Sequence, residues 1–267
     1  MAKFANIIAG AGNPPPVPLL PPASLTGPDG AGSLSLFLDF DGTLVDLAAR
    51  PDAVSVSPRL PHLLTRLAHR LQGRLALISG RGADDVIGLI GPLPIAVAGS
   101  HGAEVRFADG RTLAPQRPAT LAIVLGAFHD LARATPGVLV EDKPHGVALH
   151  YRAVPEAADK YHTIAADLAA RLGLQLQTGK MMVEVRAPGA DKGVALTRMM
   201  QEPGLLGTTP LFFGDDDTDE PAFAAAHRLG GAGVIVGTPA PRRTTSARFA
   251  LSGVSAVHAW LQGVADL

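Results

Sequence analysis

Two aspartates separated by one residue lie at the end of the first strongly apolar segment of the chain. This segment, residues 34–40, is short and densely apolar, which is typical of a buried strand, and it leads into Asp41 and Gly42. Because side chains alternate along an extended chain, Asp39 and Asp41 are expected to point the same way. Two such carboxylates can divide the work, one as nucleophile and metal ligand and the other as acid and base. Asp-Gly pairs are also common in turns, so the motif alone leaves a structural role open.

A run of acidic residues lies near the end of the chain, at positions 215–220. A hard cation would relieve this concentrated charge, and Mg²⁺ needs few protein carboxylates because it keeps water and takes phosphate oxygens from a substrate. We therefore expect Asp215 to join Asp39 as a metal ligand, with Asp216 or Asp219 in a supporting role. Residues 218–220 also suit the first turn of a helix, which is a purely structural explanation.

Two further positions suit a phosphate group. Ser79 precedes Gly80 and Arg81 at the predicted end of a strand, where a hydroxyl and backbone N–H groups can donate to phosphate oxygens. Lys192 lies at the predicted start of a helix, where its charge opposes the helix dipole. A lysine that neutralises a transferring phosphoryl group would account for that placement.

The apolar pattern supplies the elements that position these residues. Strand-like segments at 34–40, 74–79 and 94–99 alternate with helical patterns at 57–73 and 83–90, and the alternation resumes after residue 191. This order predicts an α/β fold with a doubly wound parallel sheet. Since open parallel sheets bind ligands at the carboxyl ends of their strands, we expect the reactive residues to meet there.

The middle of the chain follows a different order. After a hairpin signal at Asp109 and Gly110, a helix and two strands occur twice, which predicts an inserted α/β cap domain of order αββαββ. We place the core at residues 34–103 and 187–267 and the cap domain at 104–186. Residues 1–33 are rich in proline and glycine and are predicted to be a disordered leader.

Composition limits the possible partners. The chain has 267 residues, 47% of them hydrophobic, which is enough for a substantial core. A net charge of −1 gives no general field for nucleic acid or anionic lipid. The absence of cysteine excludes disulfides and thiolate metal sites. Without a long apolar stretch or a convincing signal sequence, we expect a soluble, cytoplasmic protein with no membrane partner.

Four segments, taken in order, resemble the motifs of haloacid-dehalogenase-superfamily phosphatases: residues 39–44, 79–81, 191–193 and 213–220. Within that superfamily the chain is most similar to the trehalose-6-phosphate phosphatases. Residues 99–104, 141–152 and 183–186 carry this similarity, which extends from about residue 34 to the C-terminus. One departure is Ala187 before Pro188, where the family more often has proline directly after the arginine. The resemblance implies a Rossmann-like core with a cap that reads the sugar.

The resemblance also implies a role for each motif residue. Asp39 would be the nucleophile that becomes an aspartyl-phosphate, and Asp41 would act as acid and then as base. Ser79 and Lys192 would steady the phosphoryl oxygens. The residues expected to hold Mg²⁺ are Asp39, the backbone carbonyl of Asp41, Asp215 and Asp216. The residues expected to bind the substrate are Arg81, His101, Glu141, Lys143 and Glu184.

The expected reaction is the hydrolysis of trehalose 6-phosphate to trehalose and phosphate, the dephosphorylation step of trehalose biosynthesis. A trehalose-6-phosphate synthase is a candidate functional partner. Two alternatives stay open, namely a phosphatase for another sugar phosphate and a sensor that binds a sugar phosphate without turnover. The presence of every motif position argues against the sensor.

Overall fold

The computed structural model describes residues 16–19, 34–48, 53–179, 181–237 and 244–267. The chain divides into two compact units. The first combines Met1–Leu113 with Asp191–Leu267, and the second is Ala114–Ala190. Among the described residues, none of the helices has the length and apolar character that crossing a membrane requires.

Thirteen strands are formed by the described residues: β1 (Val17–Pro18), β2 (Leu34–Leu38), β3 (Leu75–Ile78), β4 (Ala96–Gly99), β5 (Glu104–Arg106), β6 (Thr112–Leu113), β7 (Leu139–Lys143), β8 (Gly146–His150), β9 (Gln175–Gly179), β10 (Met182–Arg186), β11 (Thr209–Gly214), β12 (Ala232–Val236) and β13 (Phe249–Leu251). The α-helices of the same residues are α1 (Arg59–Arg70), α2 (Ala83–Ile90), α3 (Leu121–Ala134), α4 (Ala158–Leu172), α5 (Lys192–Met199), α6 (Glu220–Arg228) and α7 (Val254–Ala265).

Nine strands form the sheet of the first unit, in the order β1-β13-β12-β11-β2-β3-β4-β5-β6. Neighbours run parallel except for the β4–β5 and β5–β6 pairs. The chain winds outward from β2 through β3 to β4, and then from β11 through β12 to β13 in the opposite direction. The boundary between β2 and β11 is therefore the topological switch point, where open α/β sheets bind ligands.

Strand β2 is buried on both faces of the sheet. Leu34, Leu36 and Leu38 belong to an apolar cluster that includes residues of α1, α2 and α7. Phe37 belongs to a second cluster, formed with residues of α5 and α6. Two covered faces explain why the β2 sequence is apolar at nearly every position instead of alternating.

The predicted start and end of the insert are wrong by several residues. Strand β5 pairs with β4, with Gly99 opposite Glu104, and β6 pairs with β5. The hairpin assigned to the insert therefore extends the sheet of the first unit, and the second unit begins at Ala114 and ends at Ala190. A hairpin has the same sequence pattern whichever sheet it joins, so the pattern could not decide between them.

The prediction of a disordered leader is wrong for residues 16–19. Val17 donates its N–H to the carbonyl of Arg248 at 3.0 Å, and Leu19 donates to Ala250 at 3.1 Å. Pro18 lies between these two donors, so the strand at the sheet edge needs no N–H from the proline. The side chain of Leu19 is buried in the core. The rest of the predicted leader lies outside the described residues.

The second unit has a four-stranded antiparallel sheet of order β7-β8-β10-β9, with helices α3 and α4. Val147, Leu149, Val183 and Val185 share an apolar cluster with residues of both helices. The predicted αββαββ order is confirmed.

Candidate active site

Asp39 lies at the carboxyl end of β2, at the switch point of the sheet. Its backbone N–H donates to the carbonyl of Phe213 in β11 at 2.9 Å. The side chain is buried, and its Oδ1 accepts a hydrogen bond from Nζ of Lys192 at 2.7 Å. Burial raises the pKa of Asp39 well above its usual range, against the lowering effect of the Lys192 charge. The charged form of Asp39 therefore depends on nearby cations.

Lys192 is the first residue of α5 and connects two carboxylates. The helix is capped by Asp191, whose side chain accepts from the N–H of Val194 at 2.8 Å. Nζ of Lys192 lies 2.7 Å from Oδ1 of Asp39 and 2.7 Å from Oδ1 of Asp219. Burial alone would lower the pKa of Lys192, but the charges of Asp219 and Asp39 outweigh it and raise the pKa. Lys192 is therefore a fixed positive charge beside Asp39.

Both carboxylate oxygens of Asp219 are engaged. Oδ1 accepts from Lys192, and Oδ2 accepts from the N–H groups of Asp215 at 2.9 Å and Asp216 at 3.1 Å. Asp219 is fully buried, so these bonds fix both the lysine and the acidic segment after β11. The sequence indicated a supporting role for this residue without indicating which groups it supports.

Asp215 completes a group of three carboxylates that could hold a metal ion. One oxygen each from Asp39, Asp215 and Asp219 lies within 4.8 Å of the others. Burial, followed by the charges of Asp216 and Asp219, raises the pKa of Asp215 to about 7. Since both oxygens of Asp219 already accept hydrogen bonds, Asp39 and Asp215 are the carboxylates best placed to receive a cation.

The absence of a side chain at Gly42 leaves room for the carboxylate of Asp215. Its φ of +82° is in the left-handed region that favours glycine, and a Cβ at this position would lie 2.2 Å from a carboxylate oxygen of Asp215. The Asp-Gly pair is therefore part of a turn and part of the site at once, so the two explanations of the motif are compatible.

Asp216, a predicted metal ligand, caps the next helical turn. Its Oδ1 accepts from the N–H of Thr218 at 2.8 Å and from its hydroxyl at 2.6 Å. Asp216 is not in the group of three carboxylates, and its metal role stays a prediction. These acidic residues therefore also have the structural role that the sequence left open, because the 3-10 turn Asp217–Asp219 leads directly into the first turn of α6.

Asp41 pairs with an arginine. Nε of Arg81 donates to Oδ2 of Asp41 at 2.7 Å, and Nη2 donates to Oδ1 at 2.9 Å. Both side chains are partly buried. Two parallel hydrogen bonds fix the plane of the carboxylate as well as its position. Arg81 was predicted to bind the substrate, but in the structure its side chain binds Asp41, the predicted acid and base.

The segment that follows β4 holds Ser79 and its neighbours in place. The N–H of His101 donates to the carbonyl of Ser79 at 2.8 Å, and that of Ser100 donates to the carbonyl of Arg81 at 2.7 Å. Ser100 and His101 have φ values of 51° and 58°, which non-glycine residues seldom adopt. The hydroxyl of Ser79 accepts from the N–H of Arg81 at 3.1 Å. His101, a predicted substrate ligand, therefore also shapes the Ser79 segment.

Glu104 is a site-supporting residue that sequence reasoning missed. It is buried, and its Oε1 accepts from the N–H of Ala83 at 3.1 Å and from the Ser100 hydroxyl at 3.3 Å. These bonds join the start of α2 to the segment after β4. A single glutamate in a short strand carries no spacing signal, and the one cue was its place at the end of segment 99–104, which carries the family similarity but assigned Glu104 no role.

The predicted sugar-binding residues of the second unit lie within one sheet and form pairs. Nζ of Lys143 lies 2.6 Å from Oε2 of Glu184, and both side chains are buried. Oε2 of Glu141 lies 2.8 Å from Nε2 of His150. The sequence identified the first three of these residues, whereas His150 was not predicted.

Comparison with known sequences confirms the predicted resemblance. The trehalose-phosphatase family model matches residues 37–255. A probable trehalose-phosphate phosphatase of Sinorhizobium fredii is 40% identical over 209 residues, which are 78% of this chain and 79% of that protein. The trehalose-6-phosphate phosphatase of Escherichia coli is 38% identical over 237 residues, which are 88% of either chain.

Solved structures have the same fold. A trehalose-6-phosphate phosphatase related protein aligns with a TM-score of 0.68 and 26% identity over 88% of this chain and 97% of that one. The C-terminal domain of Candida albicans trehalose-6-phosphate phosphatase aligns with a TM-score of 0.77 and 22% identity, covering 88% and 92%. A haloacid dehalogenase-like hydrolase from Bacteroides thetaiotaomicron aligns with a TM-score of 0.60 and 16% identity, covering 86% and 98%. The last two bear on fold alone, and the predicted fold class is confirmed.

Proposed function

The chain belongs to the trehalose-phosphatase family, and on that premise we propose that it hydrolyses trehalose 6-phosphate to trehalose and inorganic phosphate. The observation that carries the chemistry is the buried Asp39 carboxylate, held by Lys192 beside Asp215 at the switch point of the sheet. Phosphoryl transfer requires a positioned nucleophile and positive charge for the phosphoryl oxygens. This group of residues supplies the nucleophile and one such charge.

In the first step, the Asp39 carboxylate attacks the phosphorus atom, and the bond between phosphorus and the sugar oxygen breaks. Asp41 gives a proton to that oxygen, so that trehalose leaves as a neutral alcohol. Lys192 stabilises the negative charge on the phosphoryl oxygens, and the hydroxyl of Ser79 donates a hydrogen bond to one of them.

In the second step, the aspartyl-phosphate is hydrolysed. Asp41, now ionised, takes a proton from a water molecule as the water oxygen attacks phosphorus. The bond between phosphorus and Asp39 breaks, which frees the carboxylate and inorganic phosphate. Asp41 ends the cycle protonated, ready for the next substrate.

Mg²⁺ suits the donors of this site, which are carboxylate oxygens without sulfur or imidazole ligands. We propose that Asp39, Asp215 and the backbone carbonyl of Asp41 hold it. When bound, the ion would supply positive charge for the substrate phosphate.

The pKa of Asp215 makes Mg²⁺ binding dependent on pH. Since this pKa is raised to about 7, a proton occupies the metal-free carboxyl below that pH and must leave when the ion binds. We expect the affinity to fall by up to about tenfold for each pH unit below 7. Isothermal titration at pH 7 in two buffers of different ionisation enthalpy would detect the released proton. Binding that is equally tight at pH 5.5 and pH 8 would contradict the assignment.

Replacing Arg81 by lysine separates two roles for this residue. Lysine cannot form the two parallel hydrogen bonds that orient Asp41, so protonation of the leaving oxygen should suffer. An alkyl phosphate needs that proton most, because its alkoxide is a poor leaving group. We expect kcat/KM to fall about tenfold or more for glycerol phosphate and about threefold or less for p-nitrophenyl phosphate. Equal losses would place Arg81 on the substrate, which is the role predicted from the sequence.

We further propose that Glu141, Lys143 and Glu184 select the sugar. Carboxylates accept hydrogen bonds from hydroxyl groups, of which a disaccharide offers many. Phosphate release with Mg²⁺ should be measured for trehalose 6-phosphate, glucose 6-phosphate and sucrose 6-phosphate. A strong preference for the first is expected. Activity on another sugar phosphate alone would discard the trehalose assignment, and no release from any of them would favour a sensor.

A further inference from the structure

One face of the second sheet carries polar side chains in neighbouring strands. The register places Glu141 of β7, Ala148 of β8 and Glu184 of β10 directly opposite one another. His150 is two residues from Ala148 along β8, so its side chain leaves the sheet on the same side. The residues packed with the helices belong to the other face, because Val147 and Leu149 alternate with these positions.

The contact between Glu141 and His150 leaves part of the carboxylate available. Glu141 uses Oε2 for the 2.8 Å bond to Nε2 of His150, and its Oε1 makes no hydrogen bond to any residue that the structure describes. Burial alone would raise the pKa of Glu141, but the His150 hydrogen bond and the Lys143 charge outweigh it, and the pKa is lowered. An ionised carboxylate can only accept, so Nε2 of His150 carries the proton and donates it.

The second pair on this face, Lys143 and Glu184, is more deeply buried than the pair of Glu141 and His150. Lys143 and Glu184 are bonded to each other at 2.6 Å and are almost fully buried, whereas about 28% of the Glu141 side chain is exposed. Gly146 is adapted to this pair, since a Cβ there would lie 2.5 Å from Oε1 of Glu184. Of the three predicted sugar ligands, Glu141 is therefore the one whose orientation rests on a single neighbour.

We propose that His150 is a positioning residue for sugar selection: its ring N–H fixes one oxygen of Glu141 and leaves the other for a hydroxyl group of the sugar. This inference rests on the proposed function and adds to it a residue outside the predicted site. Without His150 the Glu141 side chain gains rotational freedom, and a bound sugar must then order it.

Two substitutions of His150 test the proposal. His150→Leu removes the donor, and we expect kcat/KM for trehalose 6-phosphate to fall about tenfold or more, as for the loss of a hydrogen bond to a charged group. Hydrolysis of p-nitrophenyl phosphate, which has no sugar, should change by less than about threefold. His150→Gln offers an amide N–H at similar reach and should recover most of the loss. A mainly structural histidine would lower both activities and the unfolding temperature together, without rescue by glutamine.

A double-mutant cycle shows whether His150 acts through Glu141. Glu141→Ala should itself depress hydrolysis of trehalose 6-phosphate, and adding His150→Leu should then cost less than about twofold. Additive losses would overturn the proposal. His129→Leu, at an exposed histidine of α3, is the matched control and should behave as the parent chain. A parent chain that does not prefer trehalose 6-phosphate would refute the proposed function. A full preference retained by His150→Leu would refute only the positioning role.

Discussion

Asp39→Asn is expected to abolish phosphate release, with a loss of about 10⁴-fold or more, because it removes the nucleophile together with one charged ligand of the proposed metal site. The asparagine amide has nearly the shape of the carboxylate, and its oxygen can still accept the hydrogen bond from Lys192. The side chain is buried at the end of β2, so an isosteric change should leave the fold intact. Acid quenching during turnover should leave phosphate on the parent chain and none on the variant.

The control for this experiment is Asp46→Asn, which changes an exposed aspartate of the segment after β2. It should keep the activity of the parent chain. If Asp39→Asn retained more than about 1% of the activity, the covalent mechanism would be wrong even if the substrate assignment were correct. A labelled phosphate found on the Asp39→Asn chain would assign the nucleophile to another residue.

Lys192→Met should lower both stability and activity. Lysine and methionine are similar in length, but the variant leaves Asp39 and Asp219 buried without the cation that lies 2.7 Å from each of them. Removing one partner of a buried ion pair costs about 3–5 kcal/mol in the free energy of unfolding. We expect turnover to fall by about 10²-fold or more, since the charge that stabilises the phosphoryl oxygens is gone. Urea unfolding in EDTA and phosphate release with Mg²⁺ measure the two effects.

The stability loss in Lys192→Met should grow with pH. Burial already raises the pKa of Asp39, and the loss of the lysine removes an opposing effect, so the folded variant binds a proton more tightly than the unfolded chain. A raised pKa in the folded state contributes stability at low pH, and that contribution disappears as pH rises through the folded-state pKa. The deficit should therefore be smaller at pH 5.5 than at pH 8. Lys160→Met, at an exposed lysine of α4, should show neither effect, and a pH-independent deficit in Lys192→Met would contradict the argument.

The local sequence pattern was sufficient to predict the strands and helices that carry the site residues. Strand β2 is recognisable in the sequence because both of its faces are buried, and α5 is recognisable because the alternation of strands and helices resumes there. The carboxyl ends of parallel strands then bring Asp39 and Asp215 together without further information. The sequence alone therefore predicts that Asp39 and Asp215 lie together, with Lys192 as the cation for the phosphoryl group.

The sequence could not predict which side chains, distant along the chain, form hydrogen bonds with each other. Arg81 could bond a phosphate or Asp41, and only the folded chain shows the bidentate pair. The same holds for Asp219, whose three donors come from two separate segments. Strand β1 was missed because two residues, one of them proline, carry no periodicity.

The pairing of β2 with β11 has a consequence for how the chain acquires its fold. The contact between Asp39 and Lys192 spans 153 residues, and β11 lies still further along the chain. During synthesis from the N-terminus, β2 and β3 are therefore made long before the strand that completes the centre of the sheet. Such non-local pairing slows folding, and it leaves apolar strands exposed in the interval. A chain truncated before β11 should consequently be both inactive and prone to aggregate.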